Sequence, residues 1–515
     1  MAVMTPGVPV VGSDPTLSVE GLAAGVHRFR LEVEDEAGNR SVADEREVLV
    51  RAPVPVEPVL PVITSLQPGW GNWGDAVQIV GTGFDPVPDK NQPVFSAAVA
   101  AAVASTSSTT QLAVRVPQPA VTGPVTVRTG NGVATSPRPF IVPRSFVMQA
   151  RGSPLFDLAA EPARNEIWAL HGVPGALTGL VSMLSLERRR VVAVLEVQSG
   201  AREIAISGRE RARAAVSNGG ASTVSIIDVS TRRLISHVRV SAGPAGLAFQ
   251  PGGTVLYVAC AGSATAAVGT VDVISVLPSA TAAPRVIARI ELQRGPARVV
   301  FSPDGKLAFV NEVGSGTVAM IDTSAHRVVN RFKVGGDPGS APSEVAVSAN
   351  TFPLLVANPG TRNCSVVDGN FNVRDIDLGV AVAGAAIDGS DGTGGTSGTS
   401  GTGWLTGPDE ALLFALDLGT LRPRKVQAAG TGAAAKSIVL VPAGARTHSA
   451  GIVAASPGAA AASVVEPKSR RLQAAATQTD RPQRTVLSAD GNFAVFIGPQ
   501  SPAVTALELG SVLPV

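Results

Sequence analysis

Residues 144–515 of this chain carry an internal repeat, and the repeat limits its fold more than any other feature. The phrase V-S-I-I-D-V-S-T-R-R (224–233) returns as V-A-M-I-D-T-S-A-H-R (318–327). Weaker echoes occur at 182–189, 364–370, 413–420, 463–470 and 505–510. With the acidic or equivalent position as anchor, the copies fall at 187, 228, 275, 322, 368, 417, 466 and 508, at intervals of 41 to 49 residues. A period of that size with several short alternating strands per copy is the signature of a closed ring of four-stranded sheets, a β-propeller. Other strands keep the same register: Pro244-Ala245-Gly246-Leu247-Ala248-Phe249 matches Pro296-Ala297-Arg298-Val299-Val300-Phe301. The turns Ser302-Pro303-Asp304-Gly305 and Ser488-Ala489-Asp490-Gly491 place Gly where a tight turn needs positive φ.

Closure is also written in the repeat. The last copy has three evident strands, near 484–487, 493–497 and 504–509, and lacks a fourth. The segment Phe146-Val147-Met148-Gln149-Ala150-Arg151-Gly152 matches the outer strand around His237–Gly243. The first strand is therefore expected to complete the last blade and hide its edge. That makes eight blades, with seven as the alternative if one degenerate copy fails to form. The runs Leu256-Tyr257-Val258-Ala259, Phe309-Val310-Asn311 and Leu355-Val356-Ala357-Asn358 resemble the YVTN family of propellers. That resemblance spans about 370 residues, is specific in the middle copies, and implies a WD40-like ring.

Two smaller units precede the ring. Over residues 1–55, Phe29, Leu31 and Val33 share one face of a strand, Asp35–Asn39 reads as a turn, and Glu47–Val50 returns. The pattern resembles the closing hairpin of an Ig-like or PKD-like module, and a Pro-rich linker (51–60) follows it. Residues 56–143 alternate as a β-sandwich of about 80 residues punctuated by Gly and Pro. The runs Pro61–Gly69, Gly74–Phe84 and Gly123–Val127 resemble the IPT/TIG family of Ig-like domains, which implies a spacer or binding module without catalytic residues. The expected organisation is thus 1–55, 56–143 and 144–515: all-β, an Ig-like β-sandwich followed by a propeller of about eight four-stranded blades.

Composition narrows the function classes. Lys plus Arg number 42 against 40 Asp plus Glu, so the chain has no electrostatic footprint for nucleic acid or an anionic membrane. Charged residues make up 16%, below the usual ~25%. The two cysteines, Cys260 and Cys364, lie in different repeats, so a bridge between them is not expected. The start, MAVMTPGVPVVGSDP, has no basic and apolar regions of a Sec signal, and no apolar run approaches 18 residues. Family resemblance points to a cell-surface or particle-associated location, and the missing Sec signal to another export route or a place inside the cell.

Tests for chemistry come out negative at this level. His27, His171, His237, His326 and His448 are not at metal-ligand spacing, and no nucleophile elbow occurs. The Gly-rich run 389–403 has no Lys and no phosphate-loop frame, and reads as an insertion within the sixth blade. The Asp residues that recur at one repeat position read as turn residues that bond the backbone. The innermost strands, read at Val299–Phe301, Glu344–Val347 and Ser437–Leu440, are mostly apolar, whereas a propeller enzyme needs acidic or His ligands there. The expectation is a non-enzymatic binding or display protein with no cofactor and no metal. Its partner would be a protein or glycan, with a larger assembly joined through the N-terminal module. The alternatives are a docking subunit of a large particle, such as a phage-tail-like injection machine, and a propeller hydrolase or lyase. Trp70 and Trp73, in a Gly-rich loop, and Trp404, at the end of the insertion, are the candidate contact residues.

Overall fold

The structure is a computed structural model. It describes the chain except residues 1–8, 13–18, 20, 53–58, 98, 173–177, 209–211, 264, 277–282, 389–400, 408–411, 428–436, 443–450, 457–460, 467–470, 478–482, 499–500 and 514–515. The chain forms two units, Met1–Leu60 and Pro61–Val515. The sandwich and the ring both lie in the second unit.

In the first unit, Gly25–Leu31 pairs antiparallel with Asp44–Val50. Asp35 accepts hydrogen bonds from the backbone N–H of Ala37 and Asn39 and shapes the turn beyond the first strand. Phe29, Leu31 and Val48 share one face of this two-stranded sheet, and Leu31 and Val48 are exposed.

The second unit opens with a two-sheet sandwich. One sheet holds Val62–Gln67, Ala76–Thr82 and Gln111–Arg115; the other holds Val99–Ala100, Gln92–Phe95, Thr126–Thr129 and Gly132–Thr135. Alternating residues of both sheets meet in a core of Ile79, Leu112, Phe95, Val127 and Phe140, with Phe95 and Phe140 edge to face at 5.3 Å. A seam joins the sandwich to the ring. Thr122 Oγ1 donates to the Ser511 carbonyl (2.6 Å), and Ile141 and Trp70 lie against Val512 and Leu513.

The ring has eight four-stranded antiparallel blades. Seven are continuous: 155–198, 201–239, 244–292, 296–333, 344–377, 384–427 and 437–477. The eighth takes three strands from 484–508 and its outer strand from Ser145–Gln149, with Ser145 opposite Leu507 and Gln149 opposite Ala503. This is the expected clasp, and it disposes of the seven-blade alternative. Each innermost strand neighbours the next, and Arg484–Leu487 neighbours Leu155–Glu161, which closes the circle. The cores lie between blades and are built from small and branched side chains, with Trp168, Tyr257, Phe309 and Trp404 as the large fillers.

The recurring Asp does the local work expected of it. Asp228, Asp322 and Asp417 end third strands, and each accepts backbone N–H groups two or three residues on, as from Thr231, Ala325 and Thr420. In the first blade the equivalent strand end is Ser185, two residues before the anchor at 187. Burial pushes the Asp228 carboxyl up, but bonds from Ser230 and Thr231 and the Arg213 charge outweigh it and hold it at about 2.

A second recurring device fixes the loops that enter the innermost strands. A buried polar side chain within the blade accepts the loop's backbone N–H: Ser182 from Arg151 (3.0 Å), Asp272 from Ser241 (2.9 Å), Glu312 from Gln293 (2.6 Å) and Ser365 from Gly335 (2.9 Å). The two carboxylates among these also carry ion pairs, with Arg289 and Arg331. A loop N–H without water must find a partner, and a buried carboxylate must find a charge. These bonds hold the mouth of the channel at the end where the inner strands begin.

Candidate functional site

At that mouth the innermost strands of six blades present an equivalent position, and its chemistry does not repeat. It is Asp157 in blade one, Glu203 in blade two, Gly246 in blade three, Arg298 in blade four and Glu344 in blade five; in blade eight Arg484 opens the strand. In blades two, three and four the register shifts across this point, between Ala201 and Ile204, Pro244 and Leu247, and Pro296 and Val299. Such a bulge bends the strand and re-aims a side chain.

The charges pair across blade boundaries. Arg484 bonds Asp157 through Nη2 at 2.8 Å and Nε at 3.0 Å, and Asp157 Oδ2 also accepts the Ile204 N–H at 3.0 Å. Arg298 Nη1 lies 3.3 Å from Glu344 Oε2. Three carboxyls thus face two guanidiniums, which leaves Glu203 over. Its Oε1 accepts only the Leu247 N–H, at 3.4 Å, and Oε2 has no hydrogen-bond partner among the described residues. Burial raises the Glu203 carboxyl to about 7, aided by the nearby Asp157 charge and opposed by Arg298 and Arg484. Burial works against the Arg298 charge, but Glu344, Glu203 and Asp157 outweigh it, so Arg298 stays a cation.

Beside Glu203 lies a cavity of about 260 Å³ whose walls include Arg202, Glu203, Gly246, Arg298, Asn311 and Ser343. Gly246 lets the inner strand of blade four pack close beside it, since a Cβ there would overlap the Ala297 carbonyl oxygen and lie 2.8 Å from Arg298 Cα. The walls are braced. Ser217 Oγ donates to the Ala245 carbonyl (2.6 Å) and accepts the Glu203 N–H (3.2 Å). Asn311 accepts the Arg298 N–H (2.6 Å) and donates to the carbonyls of Pro342 (2.8 Å) and Ser343 (3.2 Å). Ala341, also in the wall, is held in the left-handed region at φ 48°, a strained backbone of the kind kept at functional sites. Among the described residues, no three His, Cys, Asp or Glu side chains group in a way that could hold a metal ion.

The aromatic candidates are distributed differently. Trp404 is 0% exposed, in the core between blades six and seven, and is corrected from contact residue to core filler. It lies on the strand Thr402–Thr406, whose side chains are all buried, so its place after the insertion does not put it on the surface. Trp70 is half-buried against the C-terminal seam. Trp73 stays 47% exposed, with its indole N–H donated to the Ala120 carbonyl (2.8 Å). Most of the Gly-rich run, 389–400, lies outside the described residues, as does His448.

No protein-family model matches the chain, and neither does any curated protein. Among solved structures it is similar to the hydrazine synthase of Kuenenia stuttgartiensis, at 16% identity over 70% of this chain and 97% of that one, with a TM-score of 0.46. Virginiamycin B lyase from Staphylococcus aureus is 9% identical over 71% and 99% of the two chains, at a TM-score of 0.45. A streptogramin B lyase is 9% identical over 71% and 98%, at 0.44. The likeness is one of fold alone. The named neighbours are a synthase and two lyases, against the expectation of a non-enzymatic protein, which is withdrawn; the likeness assigns this chain no activity. The physical premise of that expectation also fails. The inner strands of blades one, two and five carry an acidic residue near their start: Asp157, Glu203 and Glu344.

Proposed function

We propose that the channel mouth is an active site for proton transfer at a carbon next to a carbonyl, with Glu203 as general base. One observation carries this reading: a carboxyl raised to about 7, with a free oxygen, in a cavity walled by an arginine. A general base works best when its pKa is near the working pH. In the forward step, Glu203 takes the proton from carbon and becomes a neutral acid. The electron pair moves onto the substrate carbonyl oxygen as an enolate, and Arg298 stabilises that charge. Return of a proton from Glu203 to carbon completes an exchange, and loss of a leaving group from the neighbouring carbon completes an elimination. The finer kinship, a YVTN-type ring on an IPT/TIG-type sandwich, belongs to this proposal and is supported by the motif runs in 61–140 and 244–358.

The test is hydrogen exchange in D₂O, read by proton NMR, on a panel of small 2-oxo acids, lactones and esters. Exchange on one class should rise with pH to a plateau above about 7 and fall at least ~100-fold in Glu203→Gln. No exchange on any class, or an equal rate in Glu203→Gln, would overturn the reading.

A separate docking role for the N-terminal unit is supported by the exposed Leu31, Val33 and Val48 of its hairpin, and Trp73 offers a further protein or glycan contact. This role is independent of the chemistry. Leu31→Ser with Val48→Ser should shift the chain to a smaller sedimenting species if the hairpin joins an assembly, and an unchanged profile would count against it.

A further inference from the structure

The cavity carries information on what it can hold. Arg202 lies on the same inner strand as Glu203, lines the cavity, and has no ion pair or hydrogen bond of its guanidinium among the described residues. The Arg298 guanidinium is held on one side only, by Glu344 at 3.3–3.4 Å, longer than a tight charge-assisted bond. Glu203 lines the same cavity, next to Arg202 in the strand and within reach of the Arg298 charge.

The groups that face Glu203 can be counted from every neighbouring element. Arg202 is on its own strand, Asp157 on the strand before, Arg298 two blades on, Glu344 beyond it, and Arg484 from the closing blade. With Glu203 ionised, three carboxylates meet three guanidiniums and the mouth is neutral. With Glu203 protonated, one positive charge is in excess and an acidic O–H is available to donate. A neutral mouth has no charge to offer an anion, and the Glu203 carboxylate would repel one. A mouth with one excess positive charge matches a single negative charge. An O–H donor beside two guanidinium forks suits a planar carboxylate.

We propose that the cavity between Arg202, Glu203 and Arg298 is a binding site for a small carboxylate monoanion that enters together with one proton taken up by Glu203. This goes beyond the active-site reading and shares only the location of the site with it: while Glu203 holds the proton the general base is blocked, so the bound anion competes with the substrate there. The volume, about 260 Å³, suits a molecule on the order of ten non-hydrogen atoms at most, below the usual range for drug-sized ligands.

The experiment is isothermal titration calorimetry of the full chain with acetate, pyruvate and inorganic phosphate at pH 5.5, 7 and 8.5. Each titration is run in two buffers of different ionisation enthalpy, so that protons taken up per anion are counted. Acetate or pyruvate should bind with close to one proton taken up at pH 8.5 and close to none at pH 5.5. The dissociation constant should weaken about tenfold per pH unit above 7. Arg202→Ala, an exposed position, should weaken binding at least fivefold and keep the pH slope. Glu203→Gln should bind with no proton uptake and a flat pH profile. Three results would each overturn the proposal: pH-independent binding by the unaltered chain, insensitivity to Arg202→Ala, or no saturable binding of either carboxylate. Phosphate binding tighter than both carboxylates would overturn the assignment to a carboxylate. Proton-linked carboxylate binding without hydrogen exchange on carbon would refute the proposed chemistry and leave this site standing. Exchange without proton-linked binding would do the reverse.

Discussion

Replacing Glu203 with Gln should stabilise the protein, and only on one side of neutrality. The folded protein holds the Glu203 carboxyl at about 7 against an ordinary value of 4.5. Its native state therefore binds a proton more tightly than its unfolded state does. That contribution is fully present below pH 4.5, is lost as pH rises to 7, and above 7 is gone. Two and a half pH units at ~1.4 kcal/mol each set the upper bound on the loss at about 3 kcal/mol, and channel water reduces it. Gln has the same shape, keeps an oxygen for the Leu247 N–H, and is neutral at every pH, so it escapes the loss. Unfolding entropy near Tm is about 2 cal/mol/K per residue, or roughly 1 kcal/mol/K for a unit of roughly 450 residues. The expected Tm gain of Glu203→Gln is thus near zero at pH 4.5 and up to about 3 °C at pH 8. Differential scanning calorimetry of both proteins at pH 4.5, 6, 7 and 8 measures it. Two parallel Tm curves would show that the carboxyl titrates at its ordinary value, and a variant less stable at pH 8 would show that the charged form is the favoured one. Either result refutes the reasoning.

Other perturbations test the same geometry. Gly246→Ala drives a Cβ into the Ala297 carbonyl and should cost about 1–3 kcal/mol, read as a fall in Tm of the same order in °C. Removing Arg484 by Ala leaves Asp157 without its guanidinium and should cost about 3–5 kcal/mol, and Asp157→Asn in the same chain should recover much of it in a double-mutant cycle. Trp404→Ala should cost about 3–5 kcal/mol by denaturant unfolding, because the ring fills the core between blades six and seven. Cys260 and Cys364 are buried, and burial pushes both thiols up to about 12, so neither should react with a thiol reagent at pH 8 until the chain unfolds. The His171 ring is buried against Ser182, and burial lowers its pKa, so the folded state resists its protonation. Its contribution to stability should be present above about pH 6.5 and fall away as pH drops, and His171→Gln should flatten the acid limb of the Tm curve.

The ring was legible because its strands are specified many times over, whereas the site was not because it occupies one position per repeat. Blade count, the clasp at Ser145–Gln149 and the Asp turns all follow from what recurs. The candidate site breaks the repeat, and the break was already in the aligned segments. Pro244-Ala245-Gly246-Leu247 and Pro296-Ala297-Arg298-Val299 agree at the proline, the alanine and the apolar residue, and differ at the third place. That place reads Asp, Glu, Gly, Arg and Glu through the first five blades. A turn or packing position would have kept one chemistry there, as the Asp that ends the third strands of blades two, four and six does. Apolar content averaged along an inner strand hides a single charged residue at its start. Trp404 failed for the opposite reason. Its neighbours in sequence are glycines, which suggest a loop, but its neighbours in space are Leu413, Ala415 and Ile452 on two adjoining blades. A local signal cannot report a partner strand from another repeat. The charge count at the mouth, three carboxyls against two paired guanidiniums, is likewise a property of the closed circle. Arg484 and Asp157 lie 327 positions apart in the chain and meet only because the last blade neighbours the first.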